Sequence, residues 1–242
     1  MVSRFGKTKV ALITASSIVA LGLLSSCGSD KTKSTVFEVN IENRSPANLG
    51  YVSALTNGVF LVHTSDSPVF KLGQALPNNG FESYAEDANA TKIIDSIGFE
   101  DNVTLTGVVD SSKTGTQGTL VPGENYRFVV VASDKDSRLS AYLKFLEAND
   151  VFLGTNPMGI PLFNAAGAPL SGDVTSEFTF FDAGTEVNEK PGSGANQLIR
   201  QGSENTGTTE NGLVRPVNDG FNYPPVSPSF RVTINVLDEV ES

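Results

Sequence analysis

The chain has 242 residues, with 17 basic residues against 27 acidic ones and a net charge of −10. That balance excludes nucleic acid as a partner, because such binding draws its affinity from cationic contacts with phosphates. A single histidine, His63, and a single cysteine, Cys27, exclude an internal disulfide and leave no ligand set for a transition metal. With only 18% charged residues, 23 glycines and 12 prolines, the composition favours a turn-rich β protein over long helices, and one large domain is expected.

Residues 1–26 have the layout of an export signal, in which Arg4, Lys7 and Lys9 precede an apolar run over residues 10–24. The run is about 15 residues, short of the roughly 20 that a membrane-spanning helix needs. It ends in Leu24-Ser25-Ser26-Cys27, which resembles the bacterial lipobox, where a peptidase cuts before a cysteine carrying a diacylglyceryl group. The resemblance implies lipidation at Cys27 and a membrane lipid anchor, since a triacylated cysteine holds a protein stably where one chain does not. A generic secretory signal, releasing a soluble protein, is the competing reading. Gly28 rather than Asp follows Cys27, which points to a bacterial outer-membrane lipoprotein, with the membrane face left open. Cleavage removes three of the 17 basic residues and no acidic one, so 14 face 27 and the net charge becomes −13.

Residues 27–35 read as a polar tether with Lys31 and Lys33, and residues 36–238 as the folded domain. Over residues 36–43, Phe37, Val39 and Ile41 alternate with Glu38, Asn40 and Glu42, the period of a half-buried strand. Further strands are expected at 58–63, 103–109, 126–132, 139–146 and 178–181. Within them, Phe128-Val129-Val130-Val131 and residues 143–146 are apolar enough for strands near a core. Val121-Pro122-Gly123-Glu124 is a turn signal, and residues 80–97 suit one or two short helices. Residues 184–228 lack apolar periodicity and read as a long excursion returning to the same sheet, either functional or disordered in type. Phe230, Val232, Ile234 and Val236 then alternate with polar residues, and this last strand is expected to share a sheet with the first. The expected fold is an all-β antiparallel sandwich with helical decoration.

Several segments are distinctive when taken together. They are Phe37-Glu38-Val39-Asn40-Ile41-Glu42-Asn43, Gly58-Val59-Phe60-Leu61-Val62-His63, Leu120-Val121-Pro122-Gly123-Glu124 and Asn149-Asp150-Val151-Phe152-Leu153-Gly154. The most specific runs from Phe181-Asp182-Ala183-Gly184-Thr185-Glu186 through Val187-Asn188-Glu189-Lys190-Pro191-Gly192 to Asn196-Gln197. Together these segments resemble the spondin domain, and the resemblance covers nearly the whole chain beyond the signal. It implies an eight-stranded, C2-like sandwich with a calcium ion at loops on one end, held by Asp150, Asp182 and Glu186. Val151 stands where the family commonly has Trp, and the cysteines of animal members are absent.

On residue chemistry alone, Asp182 and Glu186 flank a glycine-bearing turn after the strand at 178–181, which can point both carboxylates inward. Asp150 also follows an apolar strand, and Asn149, Asn188 and Glu189 are secondary oxygen donors. Calcium takes about six to eight such oxygens in a flexible geometry. The competing reading makes these acids solvated turn formers. His63 reads as a structural residue, no serine-hydrolase motif is present, and Gly192-Ser193-Gly194 lacks the third glycine and the context of a dinucleotide site. Glu86 and Asp87, adjacent in a polar stretch, read as a solvated face.

The expected function is a non-enzymatic, calcium-binding adhesion or ligand-binding module of the cell envelope, with an extracellular protein or glycan as ligand. An envelope carbohydrate-active hydrolase would instead need two inward carboxylates in a cleft. A purely structural lipoprotein needs neither feature.

Overall fold

The computed structural model describes residues 33–109 and 118–241. The expected signal, Cys27 and residues 27–32 of the expected tether lie outside them. In chain order the elements are β1 (Lys33–Asn43), β2 (Leu55–His63), α1 (Phe81–Asp87), α2 (Thr91–Ile97), β3 (Val103–Val109), β4 (Thr119–Leu120) and β5 (Asn125–Ala132). There follow β6 (Arg138–Phe145), β7 (Val151–Thr155), β8 (Ile160–Pro161), β9 (Gly172–Asp173), β10 (Phe178–Asp182), β11 (Arg215–Pro216) and β12 (Phe230–Glu241). Eight of these strands run five residues or more, and the other four are two-residue pairings. Lys33, Ser34 and Thr35 belong to β1, so the last three residues of the expected tether are part of the sheet. No helix among the described residues is long and apolar enough to cross a membrane.

The strands form an all-β sandwich of two antiparallel sheets. The smaller sheet is ordered β5-β1-β12-β9, and the larger runs β11-β10-β7-β6-β2-β3 with β4 and β8 at its margin. First and last strands share a sheet as expected, and within it they pair directly, in a register that sets Val39 opposite Ile234 and Ile41 opposite Val232. Between the sheets pack Phe37, Val39 and Ile41 of β1, Phe128 and Val130 of β5, Phe60 and Val62 of β2, and Leu139, Ala141 and Leu143 of β6. Each such side chain, fully buried, contributes about 1.5–3 kcal/mol of transfer free energy.

A second core covers the other face of the larger sheet. There α1 and α2 place Phe81, Tyr84, Ala85, Ile93 and Ile97 against Val59, Leu61, Tyr142, Phe152 and Phe181. Phe70 fills the centre of this layer and meets Phe81, Tyr142, Phe152 and Phe181 with ring centroids 5.5–6.0 Å apart. The larger sheet is thus buried on both faces, which is why β6 and β7 are buried along their lengths. The smaller sheet is covered on one face only. Val129 and Val131 of β5 are therefore each 41% exposed, although their apolar run resembles that of a two-sided core strand.

The excursion over residues 184–228 does not return to the sheet it leaves. It starts from β10 in the larger sheet and delivers β12 to the smaller one. On the way β11 pairs with β10, Phe181 opposite Pro216 and Asp182 opposite Arg215. The reason for the crossing is topological: β12 is needed in the middle of the smaller sheet, between β1 and β9.

Candidate metal centre

Two of the three expected acids meet because of one register. In the β7–β10 pairing Asp182 lies opposite Val151, so Asp150, immediately before Val151, stands at the same end of the sheet. The third member of the cluster is Glu210, which the sequence reading did not single out. One carboxylate oxygen from each of Asp150, Asp182 and Glu210 lies within 4.8 Å of the others. Glu210 arrives through a backbone ladder that folds the start of the excursion onto its end. The N–H of Glu210 donates to Thr185 O at 2.8 Å, that of Gly212 to Gly184 O at 2.6 Å and that of Val187 to Thr208 O at 2.7 Å. Gly184 is required at its position, since φ is +73° and a Cβ there would stand 2.8 Å from the Gly212 and Leu213 backbone.

Glu186, by contrast, is not one of the three grouped acids, and its carboxylate is used on other partners. Its Oε1 accepts the Gly207 N–H at 2.9 Å and its Oε2 accepts from Asn149 Nδ2 at 3.4 Å. The turn does not aim both acids at one point, because Glu186 pairs across the ladder with Thr209 and its side chain is used to pin the loop. Of the secondary donors, Asn149 and Glu189 are engaged elsewhere: Asn149 Oδ1 accepts the Glu189 N–H at 3.1 Å, and Glu189 Oε2 accepts the Asn196 N–H at 2.8 Å. Asn188 remains beside the cluster, its Nδ2 donating to Asp182 Oδ2 at 3.1 Å.

Asp150 is buried, and its two oxygens differ. Oδ2 accepts from the Thr185 N–H at 2.7 Å, the Thr185 hydroxyl at 3.1 Å and the Glu186 N–H at 3.1 Å. Oδ1 is buried without a hydrogen-bond partner, as is Asn188 Oδ1. Asp182 Oδ1 accepts the Gly184 N–H at 2.7 Å, while Arg215 Nη2 donates to both Asp182 Oδ2 and Glu210 Oε1 at 2.7 Å. A buried acceptor left unpaired is destabilising, by about 1–3 kcal/mol and more for a charged group.

The electrostatics have one direction. Burial pushes the Asp182 carboxyl up to about 7, helped by the charge of Asp150 and opposed by the Gly184 N–H and Arg215. Burial also raises Asp150, against the N–H groups of Glu186 and Thr185 and the ammonium of Lys144, and it raises Glu186. Glu86 is buried, not solvated; burial lifts it to about 7, against a hydrogen bond from Thr185 and with repulsion from Glu186. Asp87 accepts from Gln201 Nε2 at 2.8 Å and so fastens the excursion to α1.

Two cations face these acids. Lys144 is wholly buried, its ammonium donating to Ala148 O at 2.8 Å and to Asn149 O, and burial lowers it to about 8 despite the nearby acids. Arg215 is the other. Six carboxylates, those of Glu86, Asp87, Asp150, Asp182, Glu186 and Glu210, thus share two cationic side chains.

The donor set is entirely oxygen, with two orphaned buried acceptors, and such a set suits a hard divalent cation. His63 lies in the fold as a structural residue, Nε2 bonded to Ser140 Oγ at 2.9 Å and Nδ1 to Ser65 O. No protein-family model matches the chain, and no curated protein matches it. Fold and site together define an all-β sandwich protein with a buried acidic cluster at one end of its larger sheet.

Proposed function

We propose that this is a non-enzymatic, calcium-binding recognition module of the bacterial cell envelope, anchored by a lipid at Cys27 and similar to spondin domains. Asp150, Asp182 and Glu210 hold the ion, with Asn188 as a neutral donor. The observation that carries the reading is the buried Asp150 Oδ1, without a partner beside two further carboxylates. When bound, calcium neutralises the clustered charge and ties β7, β10 and the excursion together. A recognition role fits this arrangement, because the ion stiffens surface loops on a rigid sandwich, where extracellular protein or glycan ligands are met.

The test is calorimetric calcium titration of the purified chain beside Asp150→Asn. Wild type should bind with a rise in melting temperature, as any ligand selective for the folded state produces, and the variant should bind at least about tenfold more weakly. Absence of heat and of thermal shift at millimolar calcium would exclude the metal role.

A further inference from the structure

The two cations at the cluster differ in their freedom to leave. Lys144 is wholly buried in β6 opposite Phe152, and its ammonium is committed to two backbone carbonyls of the turn before β7. Arg215 has a side chain that is 40% exposed, and it reaches in to the fully buried Asp182 from a two-residue strand at the sheet edge. Its Nη2 takes one oxygen from each of Asp182 and Glu210, and its Nη1 donates to Leu213 O at 3.2 Å. Gly212 leaves the space for this guanidinium, since a Cβ there would stand 3.0 Å from both Arg215 Nη1 and Glu210 Oε1.

Arg215 thus occupies two of the three carboxylates while Asp150 Oδ1 stays unpartnered. Both N–H groups of Nη2 are spent on these two acids and Nη1 bonds the Leu213 carbonyl, while no hydrogen bond joins the guanidinium to Asp150. We propose that Arg215 is a displaceable internal counter-ion, which fills the Asp182–Glu210 side of the cluster in the metal-free state and swings to solvent when a multivalent cation enters. The inference rests on the cation-site reading above. Arg215 then sets both affinity and charge selectivity: a monovalent ion carries no more charge than the group it must displace, whereas a divalent ion gains from all three carboxylates at once.

Calcium is titrated calorimetrically into the full chain of wild type, Arg215→Gln, Arg215→Lys and Arg127→Gln, the last removing a cation from β5 of the other sheet. Arg215→Gln should bind about tenfold more tightly than wild type. Its metal-free melting temperature should fall, so that calcium raises it further. Arg215→Lys, which keeps the charge but loses the planar fork, should lie between the two and serves should the glutamine variant not fold. Affinity in Arg215→Gln equal to or weaker than wild type would overturn displacement and leave Arg215 a fixed strut. An equal gain in Arg127→Gln would also overturn it, since net charge alone would then be acting. If neither wild type nor any Arg215 variant binds calcium, the cation-site reading fails, and this one with it.

Discussion

Asp182 and Arg215 stand opposite one another in the β10–β11 ladder, and the guanidinium bridges from Asp182 to Glu210. Two ion pairs to one guanidinium therefore join the last residue of a buried strand to a loop residue 28 positions later. Asp182 is buried while Arg215 is partly open to water, so the two halves of the pair have unequal roles. Removing the arginine leaves a buried carboxylate with less compensation, whereas removing the carboxylate leaves a cation that water can solvate.

Glu210→Gln should weaken calcium binding by about tenfold or more, about 1.4 kcal/mol. Glu186→Gln, although Glu186 belongs to the most motif-like segment, should change affinity by less than about threefold. Its cost should appear in the stability of the loop it pins, through the Gly207 N–H and Asn149. Calorimetric titration and melting of the two variants side by side separate these outcomes.

Gly207→Ala should be destabilising without touching the cluster. A Cβ at this position would stand 2.0 Å from Glu186 Oε2 and 2.2 Å from its Cδ, so the Glu186 carboxylate must swing away and give up its bonds to the Gly207 N–H and Asn149. Losing these hydrogen bonds to a buried carboxylate costs about 1–3 kcal/mol. In a domain of this size each kcal/mol lowers the melting temperature by about 2–4 °C. Limited proteolysis across residues 188–207 should accelerate in parallel.

Stability without metal should depend on pH through Glu86. Burial raises this carboxyl from 4.5 to about 7 in the folded state, so the native protein holds its proton more tightly than the unfolded chain. Stability from this group is complete below about 4.5, falls as pH rises toward about 7, and is level above that. Glu86→Gln removes the dependence. Its melting temperature relative to wild type in chelator should therefore climb between those pH values, and a flat difference would remove Glu86 as the source.

Tyr84→Phe should cost about 1–3 kcal/mol, because it deletes a buried hydroxyl with three partners. That hydroxyl shares its one proton between Tyr142 O at 2.7 Å and Asn57 O at 2.9 Å, and accepts the Lys144 N–H at 3.2 Å. The ring still fills the aromatic layer, so calcium affinity should remain unchanged while denaturant midpoint falls.

The sandwich was legible where one face of a strand meets water. Residues 36–43 and 230–236 alternate because the smaller sheet is covered on one side, and the resulting pattern identifies both strands and their shared sheet. The five-residue strand β7 gave a weaker signal, since burial on both faces removes alternation and leaves an apolar stretch too short to classify. The exposure of Val129 and Val131 went unseen for the converse reason: apolar residues face solvent where no second layer covers the sheet.

Asp150 and Asp182 were visible from the sequence because each borders an apolar stretch, Asp150 immediately before β7 and Asp182 as the last residue of β10, where strand and loop meet. Glu210 was not, and neither was the departure of Glu186. Both follow from a ladder between residues 184–187 and 208–212 that is made of backbone N–H and carbonyl groups. Those groups are the same in every residue, so the register that brings residue 210 to Asp182 leaves no mark on side-chain pattern. By itself the sequence determines which stretches pair as half-buried strands and which loops carry acids. Only the tertiary structure decides which of those acids share a site, because that choice is made by main-chain pairing across long separations.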